Sequence, residues 1–185
     1  MNSRHRLHGH AIISDDDCIA DADGHFPERL KNDADWRHFQ AALDACAFTL
    51  VGRRSHEASP NHRGRRRIVM SRSGPGLERR ADGHWWNADS MALSDVLARL
   101  LPEGGDVGVP GGQAVFDAVG PGGFATFSLA RRHGVALPGG RGLFSACEAG
   151  MSAEDVLASG GLVAGPTQWL DEPARVSLVV WARTG

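Results

Sequence analysis

The segment "LVGRRSHE", Leu50 to Glu57, closes an apolar run at Gly52 and passes at once into two arginines, a serine and a histidine. A strand covered on both faces reads as an unbroken apolar run, and "AFTLVG" (47 to 52) has that form. Such a strand opens into paired cations either at a solvated turn or at a socket for phosphate, and the neighbouring segments bear on which. Upstream, "LHGHAIIS" (7 to 14) reads as another strand. Between the two lies "NDADWRHFQAALDAC", where Trp36, Phe39, Leu43 and Cys46 recur at helical spacing and Asn32 or Asp33 is placed to cap the first amides. Downstream, "RIVMS" (67 to 71) is a short buried strand, and "LSDVLARLL" repeats the helical pattern through Leu93, Val96, Leu97, Leu100 and Leu101. The strand "DVGV" then leads into "PGGQAVFDAVG". Strands that alternate with helices predict an α/β fold with a largely parallel central sheet and helices on both faces. The last segment, "RVSLVVWAR" (175 to 183), reads as an antiparallel edge strand.

Bulk composition narrows the classes. With 185 residues, 42% of them hydrophobic, the chain is long enough for one full core and short for two, so a single domain over 1–185 is expected. A formal charge of -2 argues against general nucleic-acid binding and requires any anion site to be local. Cys18, Cys46 and Cys147 are odd in number and lack paired spacing, which points to a reducing, cytoplasmic setting. The opening "MNSRHRLHGH" has no apolar leader core, and no apolar run approaches bilayer length, so no membrane partner is expected. The expected state is a monomer or homodimer.

Several residues have the chemistry of a site. The passage "VGVPGGQAVFDA" leaves free backbone N–H groups at a helix start, which suits either phosphate or a plain turn. Arg53, Arg54, Ser55, Ser71 and Arg72 all follow the carboxyl ends of the expected parallel strands, the edge where open sheets bind ligands. Asp35 shares a helix face with Phe39, beside the apolar stripe, where a carboxylate loses solvation; a helix-start aspartate is otherwise a cap. His8 and His10, with Asp15 to Asp17 nearby, lack a third well-placed ligand, so no metal is expected. "RGRRR" (63 to 67) reads as a solvated loop at this net charge. Hydrolase and zinc-deaminase motifs are missing.

In order, "AIISDDDCIAD", "DADWRHF", "LVGRRSHE", "GRRRIVMSRS" and "VPGGQAVFD" resemble dihydrofolate reductase and its relatives, which include the reductase domain of bacterial riboflavin biosynthesis; the likeness runs from about residue 8 to about 145. The resemblance implies a three-layer fold and an NADPH-dependent reductase that passes hydride to a C=N or C=O group of a pterin-like or related small heterocyclic substrate. It places Arg53 and Arg72, with Gly52 and Ser71, at the 2'-phosphate of NADPH, and Arg54, Ser55, Gly111, Gly112, Gln113 and Ala114 at the diphosphate. Ile19 and Ala20 would cover the nicotinamide, and Phe116, after Val115, would face its side of the cleft. Asp35 becomes the acid that pairs with the ring edge and assists protonation, Ala11 to Ile13 and Phe39 line the substrate site, and Arg65 holds an anionic tail. A cis peptide between Gly111 and Gly112 is expected, with Val109-Pro110 as the competing candidate. The chain departs from folate reductases at Pro27 and Glu28, where the aromatic lid residue is missing, at Ala130, where a threonine is usual, and at Pro110. Two alternatives stay open: a riboflavin-pathway-type pyrimidine reductase (5-amino-6-(5-phosphoribosylamino)uracil reductase-like), and a non-catalytic nucleotide-binding module.

Overall fold

The computed structural model describes residues 4–184. In chain order the strands are β1 (His5–Ile13), β2 (Cys18–Ala20), β3 (Phe48–Gly52), β4 (Arg67–Ser71), β5 (Leu77–Arg80) and β6 (Gly83–Asn87), then β7 (Gly105–Gly111), β8 (Thr126–Arg132), β9 (Arg141–Gly142), β10 (Leu162–Ala164), β11 (Gln168–Asp171) and β12 (Val176–Arg183). The helices are α1 (Asp33–Asp44), α2 (Arg53–Ala58), α3 (Leu93–Leu100), α4 (Gln113–Val119), α5 (Ser145–Glu148) and α6 (Ala153–Ser159).

Ten of these strands form one sheet in the order β10-β12-β8-β1-β7-β3-β4-β6-β5, with β11 also paired to β12. From β8 to β6 every pairing is parallel, as crossovers through helices or long connections require. The antiparallel C-terminal edge is present, but β12 is not its outermost strand. It pairs with β8 on one side, while β10 and β11 divide its other side between them. Short strands covering a long apolar one leave little free edge for another chain to pair with.

Helices cover both faces. α1 starts at Asn32, whose side chain accepts the N–H groups of Ala34 and Asp35, both at 3.0 Å. It packs on β1 and β7, close enough that a Cβ on Gly108 would lie 2.5 Å from Leu43. On the opposite face α3, α4 and α6 bury Val96, Leu97, Val115, Val156 and Leu157 against Leu7, Phe48, Leu50, Ile68 and Val107. Phe116, Phe124, Phe127 and Phe144 form a cluster with ring centroids 5.1 to 6.1 Å apart. Gly9 admits the Phe127 ring directly against β1, where a Cβ would lie 2.2 Å from it. Among the described residues, no helix is long and apolar enough to cross a membrane.

Candidate active site

Strand register assembles the site. Gly52 pairs with Met70, and Val51 with Gly111, so the carboxyl ends of β4, β3 and β7 lie side by side. That edge collects Ser71 and Arg72, then Gly52 to Ser55, then Gly111 and Gly112. Gly52 opens α2 and Gly112 opens α4, and neither helix start has a side-chain cap. A Cβ on Gly112 would meet nothing within 4 Å, so the residue before the first amides of α4 borders open space.

The side chains along this edge differ in freedom. Arg53 and Arg72 are exposed, and Arg53 makes a loose 3.8 Å contact with Glu57 one turn on. Arg54 leans toward the turn after β2, 3.9 Å from where a Cβ on Gly24 would stand. Ser71 is buried, and its hydroxyl accepts the Ser73 N–H at 3.2 Å. The Gln113 side chain is already engaged, donating to the Gly142 carbonyl at 3.1 Å and to Glu148 at 2.7 Å. Its backbone amide is therefore what Gln113 has left for an anion.

Two expectations fail at the glycine turn. The structure has no cis peptide bond among the described residues. The turn from β7 into α4 is made instead by a positive φ of 94° at Gly111, a conformation open to glycine. Phe116 does not face the cleft: its ring is 1% exposed, inside the phenylalanine cluster and against Gly111. The helical register that buries Val115 also turns Phe116 inward.

Asp35 stands in the first turn of α1. It does not cap α1, because Asn32 does. Burial pushes its carboxyl up to about 6, and among the described residues no hydrogen bond or ion pair offsets it. Phe39, on the same helix face, packs against Trp36 at 5.5 Å and His10 at 6.1 Å between centroids. Trp36 is 59% exposed, so the N-terminal end of the apolar stripe on α1 faces solvent instead of joining the core. Beneath, Ala11 is half-buried, whereas Ile13 is fully enclosed and supports the site from within the core. Ile19 packs half-buried on the core and Ala20 is buried, on β2, which is held by β9. Ala130, opposite Ile12, is buried among apolar side chains, and no hydroxyl stands at that position.

Arg65 is not free to hold a tail. Its guanidinium donates to Asp44 through Nε at 2.9 Å and Nη2 at 2.6 Å, and to the carbonyl and Oε1 of Gln40 at 3.1 and 2.7 Å. It clasps the loop before β4 to the end of α1. The histidines of β1 also separate: His8 is held by Thr126 at 2.8 Å and Asp106 at 2.9 Å, while His10 turns to α1. Asp21, Asp23 and His25 bring their ligand atoms within 4.8 Å of one another on an exposed turn, where Asp21 already accepts the amides of the other two.

These features define the dihydrofolate reductase-like fold. No protein-family model matches the chain, and no curated protein sequence matches it. Solved structures match over nearly its whole length. The diaminohydroxyphosphoribosylaminopyrimidine deaminase/5-amino-6-(5-phosphoribosylamino)uracil reductase of Thermotoga maritima gives a TM-score of 0.71 at 16% identity, covering 98% of this chain. The chain spans 57% of the length of that protein. Dihydrofolate reductase from Enterococcus faecalis, complexed with NADP(H) and RAB-propyl, gives 0.67 at 15% identity and 97% coverage of both chains. A protein from Shewanella sp. PV-4 described under riboflavin biosynthesis gives 0.66 at 16%, covering 97% of this chain and 99% of its own.

Proposed function

We propose that the chain is an NADPH-dependent reductase acting on a C=N or C=O group of a small heterocycle. The reading rests on the Asp35 carboxylate, raised to about 6 by burial and without a hydrogen bond from the described residues, taken together with the uncapped, arginine-bearing ends of β3, β4 and β7. An unpaired, partly buried carboxylate costs stability. A ring edge with two parallel N–H groups offsets that cost.

The residues fit a phosphorylated dinucleotide. Arg53 and Arg72 would hold its 2'-phosphate, with Gly52 and Ser71 beside them. Arg54, Ser55 and the amides of Gly112, Gln113 and Ala114 would face the diphosphate, and Ile19 and Ala20 would shield the reacting end from water. When bound, NADPH supplies the hydride. Asp35 holds the ring and, with its pKa near neutrality, passes a proton through water to the reduced nitrogen.

Within this reading the clasped Arg65 favours a pyrimidine or other compact ring over a folate, because the tail anchor is already closed on Asp44 and Gln40. The Thermotoga protein, described as a pyrimidine deaminase and uracil reductase, and the Shewanella protein, described under riboflavin biosynthesis, share the fold. A non-catalytic module would have no use for an unsatisfied Asp35.

The test is NADPH oxidation with dihydrofolate set against a panel of aminopyrimidines and pterins, together with cofactor titrations of Arg53→Ala. We expect turnover with a compact ring, and a loss of NADPH affinity in the variant of about 1.5–3 kcal/mol with NADH little changed. Equal affinity of the wild type for NADPH and NADH would remove the cofactor assignment, and cofactor binding without turnover on any ring would favour the non-catalytic module.

A further inference from the structure

His10 lies on β1 beneath α1, only 7% exposed, its ring edge-on to Phe39. Burial, with His38 and His8 close by, depresses its pKa to about 4, so the ring is neutral at physiological pH. A neutral imidazole carries one donor and one acceptor, and buried groups of this kind are as a rule hydrogen-bonded. His10 has no such bond from the described residues. Both nitrogens of His8 are taken by Thr126 and Asp106. The His38 ring stands 6.4 Å away between centroids, and its Nε2 is itself enclosed without a partner, as is the Trp181 indole nitrogen. His10, at 7%, keeps a small exposure. Phe39, against which His10 packs, is one helical turn from Asp35 on the same face of α1.

We propose that His10 is a second recognition group of the substrate site, its imidazole hydrogen-bonding a polar ring atom of the heterocycle whose other edge pairs with Asp35. This rests on the reductase reading and narrows its substrate to a compact, tailless ring with hydrogen-bonding groups on two edges. A site that pairs both edges rejects analogues lacking either group, because the unmatched side chain is left buried and unpaired.

The probe is 2,4-diaminopyrimidine, titrated into the full chain with and without NADPH and followed by calorimetry and by histidine ring resonances. His10→Phe keeps a ring and loses the nitrogens; His10→Gln keeps a donor and an acceptor. We expect the His10 resonances to shift on binding, about tenfold weaker probe affinity in His10→Phe with NADPH affinity unchanged, and substantial recovery in His10→Gln. Wild-type probe affinity in a folded His10→Phe overturns the proposal, as does a parallel loss of NADPH affinity, which marks a merely structural role. A chain that binds NADPH but not the probe also overturns it, with the cofactor half of the reductase reading intact. A chain that binds the probe through His10 but not NADPH upholds His10 and removes the reductase reading.

Discussion

Asp35 and His10 titrate in opposite senses, and each leaves a mark on stability. The carboxyl of Asp35 sits at about 6, above its ordinary 3.8, so the folded chain holds that proton more tightly than the unfolded one. The stabilisation is present at low pH and is lost as pH rises through about 6, a loss on the order of 3 kcal/mol. Asp35→Asn is therefore expected to gain roughly 2–3 kcal/mol in urea unfolding at pH 8 and little at pH 4, while turnover falls by about 100-fold and NADPH affinity holds. No gain at pH 8 would show that water reaches the carboxylate freely. His10 lies near 4, below its ordinary 6.5, so its contribution is full above 6.5 and is lost as pH falls through 4. The desolvated setting of Asp35 was legible in the sequence because helical spacing set it beside Phe39. The setting of His10 was not, since a strand's alternation gives the face but not what packs on it.

Among elements, the turn between β7 and α4 separates a glycine that the fold requires from one that the proposed cofactor site would use. Gly111 needs its positive φ, and a Cβ there would lie 2.6 Å from the Phe116 ring. Gly112 has a negative φ and open space before it. Gly111→Ala should cost about 2–4 kcal/mol in thermal or urea unfolding, whereas Gly112→Ala should cost under about 1 kcal/mol yet weaken NADPH binding roughly tenfold. Comparable stability losses in the two variants would contradict this division. The sequence marked β4 to the residue, because "RIVMS" is a short, mostly buried run between polar loops. β8 escaped notice: "TFSLARR" alternates large Phe127 and Leu129 with small Ser128 and Ala130, so both faces are buried without an apolar–polar signal. The β5–β6 hairpin was missed as well, its strands "LERR" and "GHWWN" being largely half-buried or exposed at the sheet's far edge.

For the whole molecule, the sheet order predicts where the structure opens last. β1 pairs in parallel on both sides and carries close packing on both faces, whereas β5 and the pair β10 and β11 have one neighbour each. Hydrogen exchange should be slowest in β1, β7 and β8 and much faster in β5 and β10, and uniform protection across the sheet would refute that order. The α/β class and the parallel centre were legible from alternating periodicities. The division of the outer edge between β10 and β11 was not, since strands of three and four residues carry too little pattern to register. The exposed Trp36 gives the molecule an optical gauge. An indole more than half in water emits at long wavelength, and a ring seated between Asp35 and Phe39 would dry and quench it. Emission should therefore shift to the blue and dim as the cleft fills, and Trp36→Phe should abolish the change while Trp85, Trp86, Trp169 and Trp181 remain as an unresponsive background.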